Sequence, residues 1–158
     1  MRQELLEQII ELLDSHGILY RLVHHQPTRT SAESAMARGE DIAIGGKAIV
    51  MKIGETFHLF VLSAALKIDS TALKRHFSEK RIRFATPEEL LDMAGAVPGA
   101  VPPFGKPILP FDLYLDNSIL RNSKIAFNAG SLTDSIIMNV SDYLKVVTPT
   151  IFDFSSDS

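Results

Sequence analysis

The sequence contains no cysteine, which excludes disulfide bonds, thiol nucleophiles and cysteine metal ligands. No apolar run approaches the roughly 18 residues of a membrane-spanning helix, so we expect no membrane partner. The first residues alternate charge and leucine, which is not the pattern of a signal peptide. These absences together predict a cytoplasmic protein.

Motifs for common cofactors and metals are also missing. The chain has no Walker loop, no GxGxxG and no GxSxG, and nothing in it indicates a nucleophilic triad. Its five histidines form no metal-binding pair of the HxH or HExxH kind. The neighbours His24 and His25 would point to opposite faces of a strand. We therefore expect no metal and no cofactor.

An excess of basic residues is absent as well. The sequence has 16 Lys and Arg against 19 Asp and Glu, a formal net charge of −3. This balance argues against broad nonspecific nucleic-acid binding, although it leaves a local basic patch open. One cluster fits that description and could hold phosphates, with a solvated helix face as the alternative. The cluster consists of Lys74, Arg75, Lys80, Arg81 and Arg83.

The length of 158 residues, with 46% apolar and 22% charged residues, is typical of one globular domain. We expect this domain over residues 1–154 and a frayed tail over residues 155–158. Apolar periodicity and capping signals predict helices and strands in irregular alternation. The predicted helices cover residues 2–16, 31–38, 70–77, 87–94 and 141–144. The predicted strands cover residues 18–23, 48–51, 56–62, 82–85, 113–115, 124–128 and 135–139.

This order of elements predicts an α/β (α+β) fold. Several strands are joined by tight turns, which favours a mixed, largely antiparallel, β-barrel-like sheet with helices outside. The stretch from residue 98 to residue 110 holds five prolines, so no regular element is expected there.

A lysine stands at the start of one predicted strand. Gly45 and Gly46 lead into the apolar run 48–51, and Lys47 lies at the junction. Lysine is rarely buried without a partner, so Lys47 could place a positive charge at the edge of an apolar interior. The glycines would let a ligand approach the backbone. Alternatively, Lys47 only extends to water from the strand end.

Two later turns are also candidates for chemistry. Between Gly99 and Gly105, prolines stiffen a loop that could present fixed backbone N–H groups to a carbonyl or an oxyanion. The alternative is a structural crossover. Residues 128–131 form a tight turn after a strand, which could be simply a connection.

Three blocks in this order resemble the YbaK/ProX superfamily of aminoacyl-tRNA deacylases. They are Gly46-Lys47-Ala48, the loop 99–103 and the turn 127–130. This superfamily is related to the editing insertion domain of bacterial prolyl-tRNA synthetase. The resemblance implies a barrel-like sheet wrapped by helices, with the site at the barrel mouth. It also implies metal-independent hydrolysis of the ester that joins a wrong amino acid to the terminal adenosine of tRNA.

The blocks 100–104, 125–130 and 141–144 look most like the YeaK-like branch, which clears seryl- and threonyl-tRNA. Alanine-clearing members often carry histidine after the Gly-Ser of the last turn, whereas this chain has Leu132. Two alternatives stay open. One is an Ala- or Cys-tRNA(Pro) deacylase of the ProX or YbaK branch. The other is a non-catalytic module of the same fold that binds tRNA or a synthetase.

The resemblance assigns roles to residues of this chain. It implies that Lys47 and Gly99 are catalytic. The basic cluster defined above would bind tRNA, and the partners would be the acceptor end of mischarged tRNA and, as a further candidate, a synthetase. The expected substrate-binding residues are Thr30, Ser31, Val101, Pro102, Pro103, Phe104, Asn128, Gly130 and Ser131.

Overall fold

The computed structural model describes residues 4–157. Its helices are α1 (Leu5–Ser15), α2 (Ser31–Arg38), α3 (Ser70–Phe77), α4 (Pro87–Ala94), α5 (Asn117–Leu120) and α6 (Val140–Val146), with a 3₁₀ turn at Ile42–Ile44. Its strands are β1 (Tyr20–His24), β2 (Gly46–Ile53), β3 (Thr56–Ser63), β4 (Leu66–Ile68), β5 (Ile82–Phe84), β6 (Leu113–Leu115), β7 (Lys124–Asn128), β8 (Asp134–Asn139), β9 (Thr150–Ile151) and β10 (Ser155–Asp157).

The strands form three sheets. The largest has the order β5-β2-β3-β6-β9, the second β1-β8-β7, and the third pairs β10 with β4. The β2–β3 hairpin is antiparallel, whereas β3, β6 and β9 run parallel to one another. A single bridge between Gly45 and Ala126 connects the two larger sheets. The predicted mixed α/β fold is therefore confirmed.

Local capping chemistry fixes the ends of α2, the helix beside the later site. The Thr30 hydroxyl accepts a hydrogen bond from the Glu33 backbone N–H at 3.1 Å. The helix ends at Gly39, whose φ of +71° is the left-handed conformation that glycine adopts without strain. The sequence predicted this start and stop.

The core has two parts. The larger part lies beneath α1, α4 and α6 and includes the buried Phe104, Phe127 and Tyr143. The smaller part joins β2 and β3 to α3 and the C-terminal segment, through Phe60, Leu73 and Phe154. No helix within residues 4–157 is long and apolar enough to cross a membrane.

The predicted frayed tail is wrong for Ser155–Asp157, which forms β10 against β4. The preceding Phe154 is fully buried, and the Ser155 hydroxyl donates to Asp116 Oδ2 at 2.8 Å. Residue 158 lies outside the described part of the chain, as do residues 2 and 3 of the predicted first helix. The prediction also missed β4, β9, α5 and the 3₁₀ turn.

Candidate active site

A cleft of about 230 Å³ opens where the start of β2 meets the loop before α2 and the proline-rich loop. It brings together six of the predicted site residues, from four separate parts of the sequence. These are Thr30, Ser31, Lys47, Gly99, Val101 and Asn128. The other lining residues are Thr28, Arg29, Ser34, Arg38, Gly45, Gly46, Ala48, Ile49 and Ala64.

Lys47 lies half-buried in this cleft, and its ammonium group makes no hydrogen bond or ion pair within residues 4–157. Burial lowers the pKa of its ammonium group below the usual value of 10.5. A Cβ atom on Gly46 would lie 2.6 Å from Ile125 Cδ1, so a larger residue there would force this buried side chain of β7 to move. The glycine therefore lets the strand that carries the lysine pack against Ile125, and the ammonium group remains available to a ligand.

The charge of the cleft is entirely positive. Arg29, Arg38 and Lys47 line it, and none of its described lining residues is acidic. Arg38 is only 7% exposed, and burial lowers the pKa of its guanidinium to about 10, so it stays charged at neutral pH. Because a buried cation without a carboxylate is costly, this arrangement suits a ligand that carries negative charge.

The loop of Gly99 is held in one orientation. Gly99 has a φ of +88°, and its carbonyl accepts a hydrogen bond from Asn128 Nδ2 at 2.7 Å. The next N–H, of Ala100, donates to the Val97 carbonyl at 3.0 Å. The carbonyl of Ala100 in turn accepts from the Gly130 N–H, also at 3.0 Å. The two predicted turns are thus bonded directly to each other.

Two N–H groups within residues 99–104 have no acceptor within the described chain. They belong to Gly99 and Val101, both of which line the cleft. Pro102 and Pro103 have no N–H, and the Phe104 N–H is used by the Pro102 carbonyl at 2.9 Å. The backbone donors that residues 99–104 offer to a substrate oxygen are therefore limited to these two positions.

Hydroxyl groups cover one wall of the cleft. The Oγ1 of Thr28 and the Oγ of Ser34 lie 2.8 Å apart and are buried. Thr28, Ser34 and Arg38 are lining residues that the sequence reasoning missed. A signal existed, because Ser31, Ser34 and Arg38 fall on one face of α2 at positions i, i+3 and i+7.

Three predicted substrate-binding residues lie in or against the core instead of lining the cleft. Phe104 is 1% exposed, and its ring contacts Phe127 and Tyr143 edge to face. The carbonyl of Pro103 accepts from the Tyr143 hydroxyl at 2.6 Å, and Pro102 is buried as well. These residues anchor the loop from behind, because its apolar side chains bury against the core.

Gly130 and Ser131 also lie outside the cleft. They line a separate hollow next to Leu5, and a Cβ atom on Gly130 would lie 2.6 Å from Leu5 Cβ. The Ser131 hydroxyl donates to Asp134 Oδ2 at 2.6 Å. The expectation that Gly130 and Ser131 bind substrate is therefore not supported by their position.

The predicted basic cluster divides into two groups. Arg81 is paired with Glu55 at 3.1 Å and Glu79 at 3.2 Å, and Arg83 holds Glu89. Lys74, Arg75 and Lys80 form no ion pair among residues 4–157. None of the five cations lines the cleft.

Arg83 of the cluster lies towards the far end of β2. It is on β5 opposite Lys52, five residues beyond Lys47. At the rise of an extended strand this is a separation of roughly 17 Å. The described residues contain no group of three or more His, Asp or Glu side chains arranged to hold a metal ion.

Comparison of the structure with solved ones identifies the class of fold. A candidate trans-editing enzyme for prolyl-tRNA synthetase superposes with a TM-score of 0.83 at 23% identity, covering 99% of both chains. A second solved protein, called hypothetical, gives the same TM-score at 21% identity and covers 94% of this chain and 99% of its own. These likenesses establish a shared fold.

Sequence comparison establishes the family. Residues 25–146 match the model of the aminoacyl-tRNA editing domain, so the chain belongs to that family. The Multifunctional Ser/Thr-tRNA deacylase ProXp-y of Escherichia coli (strain K12) is 34% identical over 94% of this chain and 91% of its own length. The proline–tRNA ligase of Shouchella clausii is 28% identical over 74% of this chain but only 20% of the ligase. The predicted family is confirmed.

Proposed function

We propose that this protein is a trans-editing deacylase that hydrolyses mischarged aminoacyl-tRNA, with preference for seryl- and threonyl-tRNA. The observation that carries the proposal is that one cleft is lined by the unpaired Lys47 and by Gly99 and Val101, whose N–H groups are free. The relationship to ProXp-y supports the substrate class. The partner is the acceptor end of tRNA, and the site of action is the cytoplasm.

The first role is substrate binding by charge. The terminal phosphates of tRNA are anionic, and the cleft offers Lys47 and Arg29 without competing carboxylates. Lys47 holds the phosphate or the carbonyl next to the scissile bond. This contact places the ester against the proline-rich loop, and such positioning accounts for much of the acceleration of an already activated ester.

The second role is stabilisation of the oxyanion. Water attacks the ester carbonyl carbon, and the carbonyl oxygen gains negative charge as the tetrahedral intermediate forms. The N–H groups of Gly99 and Val101 donate to that oxygen. The bond to the ribose oxygen then breaks, the proton lost by the water passes to that oxygen with help from the neighbouring ribose hydroxyl, and a free amino acid leaves.

The hydroxyl wall supports the choice of amino acid. Serine and threonine differ by one methyl group, which size alone separates by only about 1–3 kcal/mol. A pocket that admits threonine therefore admits serine. Thr28, Ser31 and Ser34 offer partners for the substrate hydroxyl, and alanine would leave such a partner unpaired.

The test is the relative kcat/KM for seryl-, threonyl-, alanyl- and cysteinyl-tRNA. We expect seryl- and threonyl-tRNA to be cleared roughly 10–100-fold faster than alanyl-tRNA. Faster clearance of alanyl- or cysteinyl-tRNA(Pro) would assign the protein to the ProX or YbaK branch. Tight binding of all four without hydrolysis would make it a non-catalytic module.

A further inference from the structure

Arg38 is a buried cation that has no part in the two roles just described. Its Nε donates to Ser135 Oγ at 2.9 Å, and its Nη2 donates to Asn128 Oδ1 at 3.1 Å. No carboxylate within residues 4–157 forms an ion pair with it. The guanidinium is therefore directed at neutral acceptors, which is a costly use of a buried charge unless their orientation matters.

The arginine determines how the Asn128 amide is turned. A guanidinium can only donate hydrogen bonds, so the amide must present its oxygen to Arg38. The hydroxyl of Ser135 donates to the same oxygen at 3.1 Å. The amide nitrogen of Asn128 then points the other way and donates to the Gly99 carbonyl at 2.7 Å.

The Gly99 carbonyl, which Asn128 holds, helps to position the backbone N–H donors of the loop. Gly99 adopts the left-handed φ of +88°, and its peptide plane is fixed by Asn128 on one side and by the Ala100–Val97 hydrogen bond on the other. The free N–H of Gly99 belongs to the peptide plane before this one, and the free N–H of Val101 belongs to the plane after it, whose Ala100 carbonyl also accepts from the Gly130 N–H. The directions of both N–H groups therefore depend in part on the amide of Asn128, which holds the plane between them.

We propose that Arg38 is a positioning residue of the active site, acting through Asn128 on the carbonyl of Gly99 and thereby on the oxyanion donors. This inference rests on the proposed function. Arginine suits the role because its planar fork reaches two acceptors at once and stays protonated, whereas lysine is a single flexible donor.

The kinetic test compares Arg38→Gln with Arg21→Gln. Arg21 lies on β1 and contacts the Arg38 carbonyl and Glu40, but not the Asn128 amide. We expect Arg38→Gln to lower kcat by about 10²-fold with little change in KM, the size of effect that small misplacement of reacting groups produces. Arg21→Gln should stay near wild type. A raised KM with unchanged kcat would mean that Arg38 binds substrate itself, and would overturn the proposal.

Coupling between the two side chains gives a second criterion. If Arg38 acts through Asn128, the double variant R38Q/N128A should lose no more kcat than the worse single variant. Multiplied losses would show independent roles and overturn the proposal. Asn128→Asp covers the case in which Arg38→Gln fails to fold, because it keeps an oxygen for Arg38 but has no N–H for Gly99. Its kcat should fall similarly, and a wild-type kcat would contradict the proposal.

A spectroscopic measurement separates this inference from the proposed function. The NMR signals of the Asn128 side-chain amide and the backbone amides of Gly99 and Val101 should shift in Arg38→Gln but not in Arg21→Gln. This result is expected even if the wild-type protein hydrolyses none of the four tRNAs. Unchanged signals in folded Arg38→Gln would overturn the positioning role whatever the activity.

Discussion

The cleft and the two paired arginines of the basic cluster use positive charge in opposite ways. In the cleft, Lys47 and Arg38 have no acidic partner among residues 4–157, and burial lowers the pKa of both. In the cluster, the exposed Arg81 and Arg83 are held by glutamates. A cation already matched by a carboxylate contributes to the fold, whereas an unmatched one is available to a ligand. Sequence alone showed five clustered charges and one isolated lysine, and the structure shows which of them have a carboxylate partner.

The largest expected effect comes from removing the unmatched lysine. Lys47→Ala should lower kcat/KM for deacylation by about 10²–10³-fold, the effect of losing one preorganised electrostatic group. Lys52→Ala is the matched control, because Lys52 lies on the same strand but outside the cleft, near Glu55. Single-turnover deacylation measures both. A folded Lys47→Ala protein with near-wild-type activity would make the lysine a strand end that only reaches water.

The next effect comes from the loop that faces the lysine. Gly99→Val should lower activity by roughly 10²-fold and stability by about 1–3 kcal/mol, because a β-branched residue is strained at a φ of +88°. Steric conflict is not the cause of the lost stability. The nearest atom to a Cβ added at Gly99 would be Leu132 Cδ2, at 3.5 Å. Chemical denaturation and deacylation rates measure the two losses.

Gly17→Val separates strain from function in that experiment. Gly17 has a φ of +65° and no atom within 4 Å of a Cβ, and it lies after α1, away from the cleft. The Gly17→Val variant should lose a similar free energy of unfolding and keep wild-type deacylation activity. Equal activity losses in both variants would remove the Gly99 loop from the site.

A smaller effect is expected in the basic cluster. If its unpaired cations bind the acceptor stem, changing Lys74, Arg75 and Lys80 to Gln should reduce the salt dependence of tRNA binding. The slope of log K against log salt should fall by about 0.7–0.9 for each phosphate that the variant no longer neutralises. Arg81→Gln with Arg83→Gln should change the slope less, because those guanidiniums are already paired. Identical slopes in all proteins would make the cluster a solvated face.

Elements with local chemical signals were predictable from the sequence. The Thr86 and Glu89 capping box starts α4, and the turn at Gly54 joins β2 to β3. The β4–β10 pair was not predictable, because its strands are about ninety residues apart, each is only three residues long, and β10 is polar throughout. The pairing with β4, the burial of Phe154 and the bonds to Asp116 hold the tail in place.

The same distinction applies to the site. Lys47 and Gly99 are marked by their own neighbours, a glycine pair and a run of prolines. Arg38 is not, because its partner Asn128 is 90 residues away and a helix-ending arginine is ordinarily exposed. Phe104 carried a misleading signal, since proximity to the loop in sequence put it among the binding residues while its ring packs in the core.

The smallest expected effect concerns stability and pH. Burial lowers the pKa of Lys47, so the charged form is less favourable in the folded chain than in the unfolded one. This cost is fully present below the folded pKa and disappears as the pH rises from that value to the unfolded value of 10.5. Lys47→Met should therefore be more stable than wild type at pH 7, with the difference shrinking across that alkaline interval. Because the lysine is half exposed, solvent screening keeps the gain small, at most about 2–4 °C in melting temperature.

Lys67→Met is the control, because Lys67 lies at an exposed position on β4, and this variant measures the general effect of replacing a lysine with methionine. A Lys47→Met protein that melts below wild type at pH 7 would mean that the lysine stabilises the fold, and the contrast between cleft and cluster would then fail.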